Sequence, residues 1–150
     1  MTIQIDTREK QKAIQGIIAE FDKQGVEHFP SKLHVGDYMS LDNARLVIDR
    51  KQNLSELCNN VCQQHKRFST ELQNAKDRGV KLIILCEHSN RIKCLDDVKT
   101  WVNPRLKKSP LAVSGERLHK ILLTMSIHYE VEFLFCDKAH TGQRIIELLK

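Results

Sequence analysis

Two acidic residues and one lysine in the first third of the chain have the types and spacing of a hydrolytic site. Asp37 precedes a short run rich in aromatic and β-branched residues, and Asp49 and Lys51 end a second such run. The turn signal Asp42-Asn43 lies between the two runs, so the segment predicts a β-hairpin. Two carboxylates beside an ammonium group are suited to metal-dependent hydrolysis.

The register of this hairpin decides whether the two carboxylates meet. If the turn centres on Asn43, Asp37 lies directly opposite Asp49, with Cβ atoms about 4.5–5.5 Å apart. Two like charges at that separation destabilise a sheet, and a divalent cation between them would reverse the penalty. If the turn centres half a residue earlier, Asp37 pairs with Ile48 and the carboxylates lie on opposite faces.

The second strand separates its charges by face. Side chains alternate along a strand, so Asp49 and Lys51 share one face and Arg50 points to the other. A simpler interpretation is that the aspartates are surface residues and that Lys51 only keeps an edge strand soluble. The segment alone leaves both interpretations open.

A second charged segment, residues 6–9, follows a first strand in which Ile3 and Ile5 alternate with polar residues. Asp6 as N-cap and Glu9 at the third helical position predict a capping box, whose cap alone contributes about 0.5–2 kcal/mol. The same position at a strand end could aim Asp6 at the hairpin carboxylates. The two roles are compatible.

Composition restricts the class of protein. The chain has 150 residues, of which 41% are hydrophobic and 29% charged, as expected for one globular domain. A formal net charge of +5 favours a polyanionic partner. No apolar run reaches the length of a bilayer span, and the N-terminus lacks the pattern of a secretory signal, so we predict a cytoplasmic protein that does not contact membranes.

Five cysteines, an odd number, do not indicate a disulfide framework. Cys58, Cys62 and His65 have a spacing that could contribute to a zinc site, but the same helical face carries apolar residues. Small buried residues explain these cysteines more simply, and Cys86 and Cys136 lie within apolar strand-like runs.

Hydrophobic periodicity predicts helices that alternate with strands. Helical spacing occurs at residues 14–21, 54–61, 68–75, 118–129 and 145–149, and strand-like runs occur at 3–5, 26–30, 81–87 and 131–136. Residues 96–102 could form a short helix. The proline-bounded loop 103–110 carries three cations and is either a solvated connector or a contact with a nucleic-acid backbone. We predict a single α/β domain, residues 1–150, with a hairpin inserted into the sheet.

Taken together, these segments resemble the nuclease domain of the XPF family of structure-specific DNA endonucleases. That family carries Asp-x-Arg-Glu, then Gly-Asp, then Glu-Arg-Lys-x-x-x-Asp. The same order occurs here in Asp6-Thr7-Arg8-Glu9, Gly36-Asp37-Tyr38 and Asp49-Arg50-Lys51, with Arg67-Phe68 and Glu71-Leu72 on a later helix.

Two departures from the family pattern are visible. Asp49 replaces the usual glutamate, which shortens the side chain by one methylene but keeps its charge. The later aspartate of the motif falls on Ser55, with Glu56 adjacent. The Asp-Arg-Lys variant and the compact length look similar to small stand-alone members from bacterial and phage genomes.

The resemblance implies a restriction-endonuclease-like fold, with a mixed central sheet flanked by helices, and a dependence on Mg²⁺ or Mn²⁺. It implies catalytic roles for five residues, namely Asp6, Glu9, Asp37, Asp49 and Lys51. The metal would be held by Asp37 and Asp49 with Asp6 close by, and Lys51 would position the attacking water or help to deprotonate it.

The resemblance also suggests how DNA is contacted. Arg8 and Arg50 would contact phosphates or lock the carboxylates, because a guanidinium group binds either in a forked geometry. Tyr38 would either pack or touch DNA. The remaining candidates for DNA contact are basic residues on the later helix and in the proline-bounded loop: Arg67, Lys107 and Lys108.

The expected function is therefore a metal-dependent DNA endonuclease that acts at branched, flap or fork junctions, as a homodimer formed through the faces of residues 118–129 and 145–149. One alternative is a DNA-binding or partner-regulating module without catalysis. Retention of mutually repelling acids and Lys51 argues against it. A second alternative is a sequence-specific restriction or homing nuclease on the same fold.

Overall fold

A computed structural model describes all residues, 1–150, and contains six strands and five α-helices. The strands are β1 (Thr2–Ile5), β2 (Glu27–Pro30), β3 (Tyr38–Ser40), β4 (Leu46–Lys51), β5 (Lys81–His88) and β6 (Glu132–Asp137). The helices are α1 (Gln15–Lys23), α2 (Leu54–Cys62), α3 (His65–Asp77), α4 (Gly115–Tyr129) and α5 (Thr141–Leu149). Short 3₁₀ helices occupy Gln11–Ile14, Leu95–Thr100, Pro104–Lys107 and Lys138–His140.

The strands form one mixed sheet in the order β2-β1-β3-β4-β5-β6. The β3–β4 hairpin is antiparallel and pairs with β1 on one side, while β5 and β6 run parallel to β4 on the other. The predicted α/β architecture, with a hairpin inserted into a mixed sheet, is thereby confirmed.

Helices cover both faces of the sheet. Alternate residues of β5 point to opposite faces, so Leu82 and Ile84 pack with α2, α3 and α4, whereas Ile83 and Leu85 pack with α1 and α5. This explains the continuous apolar run of β5, which is buried on both sides. None of the five helices is both long and apolar enough to span a bilayer.

The hairpin adopts the register centred on Asn43. Tyr38 pairs with Ile48, and Met39 pairs with Val47. Asp37 lies just before β3, and its backbone N–H donates to the Ile48 carbonyl oxygen at 2.8 Å. The register centred on Asn43 is confirmed for these two pairs, and the carboxyl group of Asp37 lies beside that of Asp49, so the alternative that leaves the carboxylates on opposite faces is wrong.

Gly36 shapes the entry to this hairpin and provides a test of it. Its φ is +72°, and a Cβ there would collide with Val47 Cγ1 and lie 3.1 Å from the Ile48 carbonyl oxygen. We expect Gly36→Ala to cost at least about 1–2 kcal/mol of unfolding free energy, measured by denaturant titration. Gly16→Ala is the matched control, because Gly16 lies in α1 with open space around it. Equal stabilities of the two variants would contradict the described backbone.

The predicted capping box at residues 6–9 is wrong. The first helical turn begins at Gln11, and neither it nor α1 has a side-chain cap. Asp6 cannot cap it, because its carboxylate accepts hydrogen bonds from the Leu33 and Arg8 backbone N–H groups, at 2.7 and 3.1 Å. Asn53 caps α2 instead, by accepting a hydrogen bond from the Glu56 N–H at 2.8 Å.

Candidate active site

A cleft of about 290 Å³ lies at the edge of the sheet where β4 ends, beside α2 and α3. Only two of its sixteen lining residues are hydrophobic. Acidic side chains occur along this lining together with basic ones: Glu9, Asp37, Asp49, Glu56 and Glu71 with Arg8, Arg50, Lys51 and Arg67. Such a lining suits an ionic ligand better than an apolar one.

Asp37 and Asp49 are the opposed carboxylates of the hairpin within this cleft. The Asp49 side chain is 13% exposed, and Asp37 accepts a hydrogen bond of 2.8 Å from the Arg50 backbone N–H. Burial and the nearby negative charge of Asp49 raise the pKa of Asp37 to about 9. A raised pKa is expected for a buried carboxyl group beside a second negative charge.

Lys51 brings an ammonium group to the same place. Its Nζ lies 3.3 Å from Asp49 Oδ2 and 5.4 Å from the centre of the Phe68 ring. Burial lowers the pKa of Lys51, but the charges of Asp49 and Glu56 outweigh it and the net pKa is raised. Lys51 therefore stays protonated, and its charge is held against the carboxylate pair.

Arg50 points to the other face of the sheet and is buried in an ion network. Its Nε and Nη2 donate to the two carboxylate oxygens of Glu9, at 2.7 and 2.9 Å, and its Nη1 donates to Glu87. The side chains of Arg50, Glu9 and Glu87 are 5%, 9% and 4% exposed. Both guanidinium edges are occupied, so Arg50 locks carboxylates together and the prediction that it contacts DNA is wrong.

Asp6 does not join the hairpin carboxylates. Its side chain is fully buried, is absent from the cleft lining, and accepts a hydrogen bond of 2.5 Å from Arg8 Nε. Burial raises the pKa of Asp6, but hydrogen bonds from Leu33 and Arg8 outweigh it and lower the pKa. No group of three acidic, histidine or cysteine side chains is placed to hold a metal ion. The expected convergence of three acids on one ion is therefore wrong.

The other predicted DNA contacts divide into two groups. Tyr38 is fully buried and meets Phe21 edge-on with a centroid separation of 6.3 Å, so the prediction that it might touch DNA is wrong. Arg8 and Arg67 line the cleft, with side chains 59% and 75% exposed. Lys107 and Lys108 are exposed but lie outside the cleft lining, in the loop before α4.

The sequence motifs do not identify several residues of the site. Glu87, which anchors Arg50, ends the apolar run of β5, and a charged residue at the end of a buried strand is the signal that could have revealed it. Asn60 and Gln64 of the α2–α3 region also line the cleft. Their amides carry no recognisable motif.

The residues present fit a hard divalent cation. Mg²⁺ and Mn²⁺ accept one or two protein carboxylates and fill their remaining positions with water and substrate phosphate. Asp37 and Asp49 supply two carboxylates in a polar cleft, and the raised pKa of Asp37 indicates that a positive charge beside it would be favourable. Asp6 is not needed for such a site.

The carboxylate pair predicts a pH-dependent stability. A folded-state pKa of Asp37 near 9, above the unfolded value of 3.8, stabilises the fold at low pH, and this contribution is lost as pH rises toward 9. In chelator, we expect the thermal midpoint to fall between neutral and mildly alkaline pH, and the fall to shrink in Asp37→Asn. Asp42→Asn, in the exposed turn, is the control. If the thermal midpoint depended on pH identically in wild type and Asp37→Asn, the raised pKa of Asp37 would be contradicted.

The family model described as the ERCC4 domain matches residues 5–149. The chain belongs to the ERCC4 domain family. The resemblance to the XPF-type nuclease domain is confirmed by this match. No curated protein sequence matches the chain.

Solved structures show that this ERCC4 domain has a restriction-endonuclease-like fold. XPF from Aeropyrum pernix superposes with a TM-score of 0.69 and 18% identity, over 99% of this chain and 63% of that one. The same protein in complex with DNA gives a TM-score of 0.69 and 17% identity, over 99% of this chain and 62% of that one. The chain thus spans under two thirds of each XPF chain, and identities this low show a shared fold.

Proposed function

We propose that this ERCC4 domain is a divalent-metal-dependent DNA endonuclease that hydrolyses phosphodiester bonds at branched, flap or fork junctions. The observation that carries the proposal is the close approach of the Asp37 and Asp49 carboxyl groups beside Lys51 in a polar cleft. Membership of the ERCC4 family supports the nuclease assignment. A matched XPF structure holds DNA, which supports DNA as the partner.

Each cleft residue has a distinct part in the proposed reaction. When bound, Mg²⁺ or Mn²⁺ would lower the pKa of a coordinated water molecule and stabilise the negative charge that develops on the phosphate. Asp37 and Asp49 hold the cation, and the Lys51 ammonium, 3.3 Å from Asp49, orients the attacking water and offsets developing negative charge. Arg8 and Arg67, exposed on the cleft lining, are placed to contact phosphates of the substrate.

Glu9 and Asp6 act as positioning residues in this proposal. Glu9 accepts hydrogen bonds from Nε and Nη2 of Arg50, and these bonds connect the segment after β1 to β4. Asp6 fixes Arg8 through a charge-assisted hydrogen bond and anchors the chain at Leu33. Neither carboxylate is required to touch the substrate.

The assembly and setting of the protein are part of the same proposal. Residues 1–150 work as one nuclease unit, and two copies associate through α4, where Leu123 is 43% and Ile127 is 74% exposed. Lys107 and Lys108 assist DNA binding from the loop before α4. The setting that we propose is the cytoplasm of a bacterial or phage-infected cell.

A cleavage panel tests this function. Labelled flap, fork and plain duplex DNA are incubated with the protein in Mg²⁺, in Mn²⁺ and in chelator, beside Lys51→Ala. We expect cutting of the branched substrates that requires either metal and is lost in Lys51→Ala. Metal-independent binding of the same DNAs without any cutting would instead favour the non-catalytic module.

A further inference from the structure

A second cavity, of about 310 Å³, lies on the other side of α2 from the cleft. One wall is formed by α2 and the residues that follow it, including Asn59 and Gln63. The other wall is the segment 103–113, which leads into α4. Of the family motif positions only Ser55 lines this cavity, and the proposed hydrolysis gives Ser55 no role, so it does not account for the cavity.

The chemistry of this second cavity differs from that of the cleft. Arg105 is its only charged lining residue, and no acidic residue lines it, whereas five acidic residues line the cleft. Its lining combines apolar or thiol side chains with hydroxyl and amide groups: Cys58, Cys62, Leu111, Ala112 and Val113 with Ser55, Asn59, Gln63, Asn103 and Ser109. An anionic ligand with a flat, partly apolar body matches this lining.

Arg105 is held in place by hydrogen bonds from two directions. Asn103, only 3% exposed, accepts a hydrogen bond of 3.0 Å from the Arg105 backbone N–H and donates one of 2.9 Å to the Val113 carbonyl oxygen. With its side-chain oxygen turned to Arg105, Gln63 accepts from the guanidinium at 3.1 Å and donates to Asn59 at 2.7 Å. The cavity therefore keeps its shape without a ligand.

The two cavities are adjacent, because they share residues of one helix and the turn after it. Asn60 and Gln64 line the cleft, while their neighbours Asn59 and Gln63 line the second cavity. A helix with its side chains is about 10–12 Å across, so a DNA strand that leaves the cleft reaches the second cavity within a few nucleotides.

We propose that the second cavity binds an unpaired nucleotide of the DNA arm beside the cleaved bond. The base lies against the apolar side chains of Leu111 and Ala112, and Arg105 contacts the phosphate of the same nucleotide. This inference rests on the proposed DNA substrate and specifies how a single-stranded arm is recognised. Paired DNA cannot enter, because its bases are stacked and only its backbone faces outward.

The test measures binding in chelator, so that it does not depend on cleavage. The DNAs are a duplex without an arm, the same duplex with a single-stranded arm, and one with an abasic arm. We expect the wild-type protein to bind the normal arm more tightly than either other DNA. Arg105→Gln removes the charged contact with the phosphate and Ala112→Trp fills the cavity, so each should reduce that gain about tenfold.

Lys23→Gln, on the exposed end of α1 across the sheet, is the matched control and should bind as the wild type does. Folding of each variant is checked by its thermal midpoint. Full retention of the arm-dependent gain in Arg105→Gln and Ala112→Trp, or equal binding of normal and abasic arms, would overturn the inference. Loss of the gain in a protein that cuts no DNA would support the inference and refute the proposed hydrolysis.

Discussion

Asp49→Asn should reduce DNA cleavage by more than about 100-fold while leaving DNA binding nearly unchanged. The substitution keeps the shape of the side chain but removes one of the two charges that face each other in the cleft. Even outer partners of a metal ligand commonly contribute 10–100-fold, so a direct ligand should contribute more. Single-turnover cleavage of a labelled fork, with binding measured in parallel, gives both quantities.

The same substitution should also change how the stability of the cation-free protein depends on pH. Asp49→Asn removes the negative charge that helps to raise the pKa of Asp37, so the stability of the variant should fall less as the pH rises from neutral toward 9. Asp42→Asn, in the exposed hairpin turn, should change neither stability nor cleavage. Cleavage by Asp49→Asn at the wild-type rate would remove Asp49 from the site.

Arg50→Met should destabilise the fold by about 3–5 kcal/mol, because it leaves Glu9 and Glu87 charged and buried without their partner. For a chain of this length, each kcal/mol corresponds to about 2–4 °C in the thermal midpoint. Urea titration of wild type and variant measures the difference. Adding Glu9→Gln and Glu87→Gln to Arg50→Met should recover part of the loss.

Arg144→Met provides the matched control for this experiment. Arg144 and Glu147 form an exposed pair, 3.3 Å apart with side chains 39% and 49% exposed. Such pairs contribute about 0–1 kcal/mol, so Arg144→Met should be nearly neutral. If Arg50→Met were equally neutral but weakened DNA binding, Arg50 would be a DNA contact and the buried network would not matter.

Local sequence patterns predict most of this fold because the helices and strands bury faces of regular period. Alternation predicts Asp49 and Lys51 on one face and Arg50 on the other. The turn signal at Asp42-Asn43 predicts the hairpin but leaves two registers open, and the structure has the register centred on Asn43. These relationships depend on residues close in sequence, which periodicity describes well.

Long-range contacts account for what the sequence could not predict. Asp6 fits the pattern of a helix cap, yet Leu33, distant in sequence, takes one of its oxygens. Arg50 fits the pattern of a phosphate contact, yet Glu87 from β5 helps to bury it. Nothing local to either residue signals these partners, because they meet only when β1, β4 and β5 assemble into the sheet.

A crystal of the protein grown with Mn²⁺ and measured at the manganese absorption edge tests the central claim most directly. The anomalous difference map should show a peak between the carboxylates of Asp37 and Asp49, and the peak should vanish in Asp49→Asn. A peak bound elsewhere, or no peak in the cleft of a protein that cleaves DNA with Mn²⁺, would contradict the account.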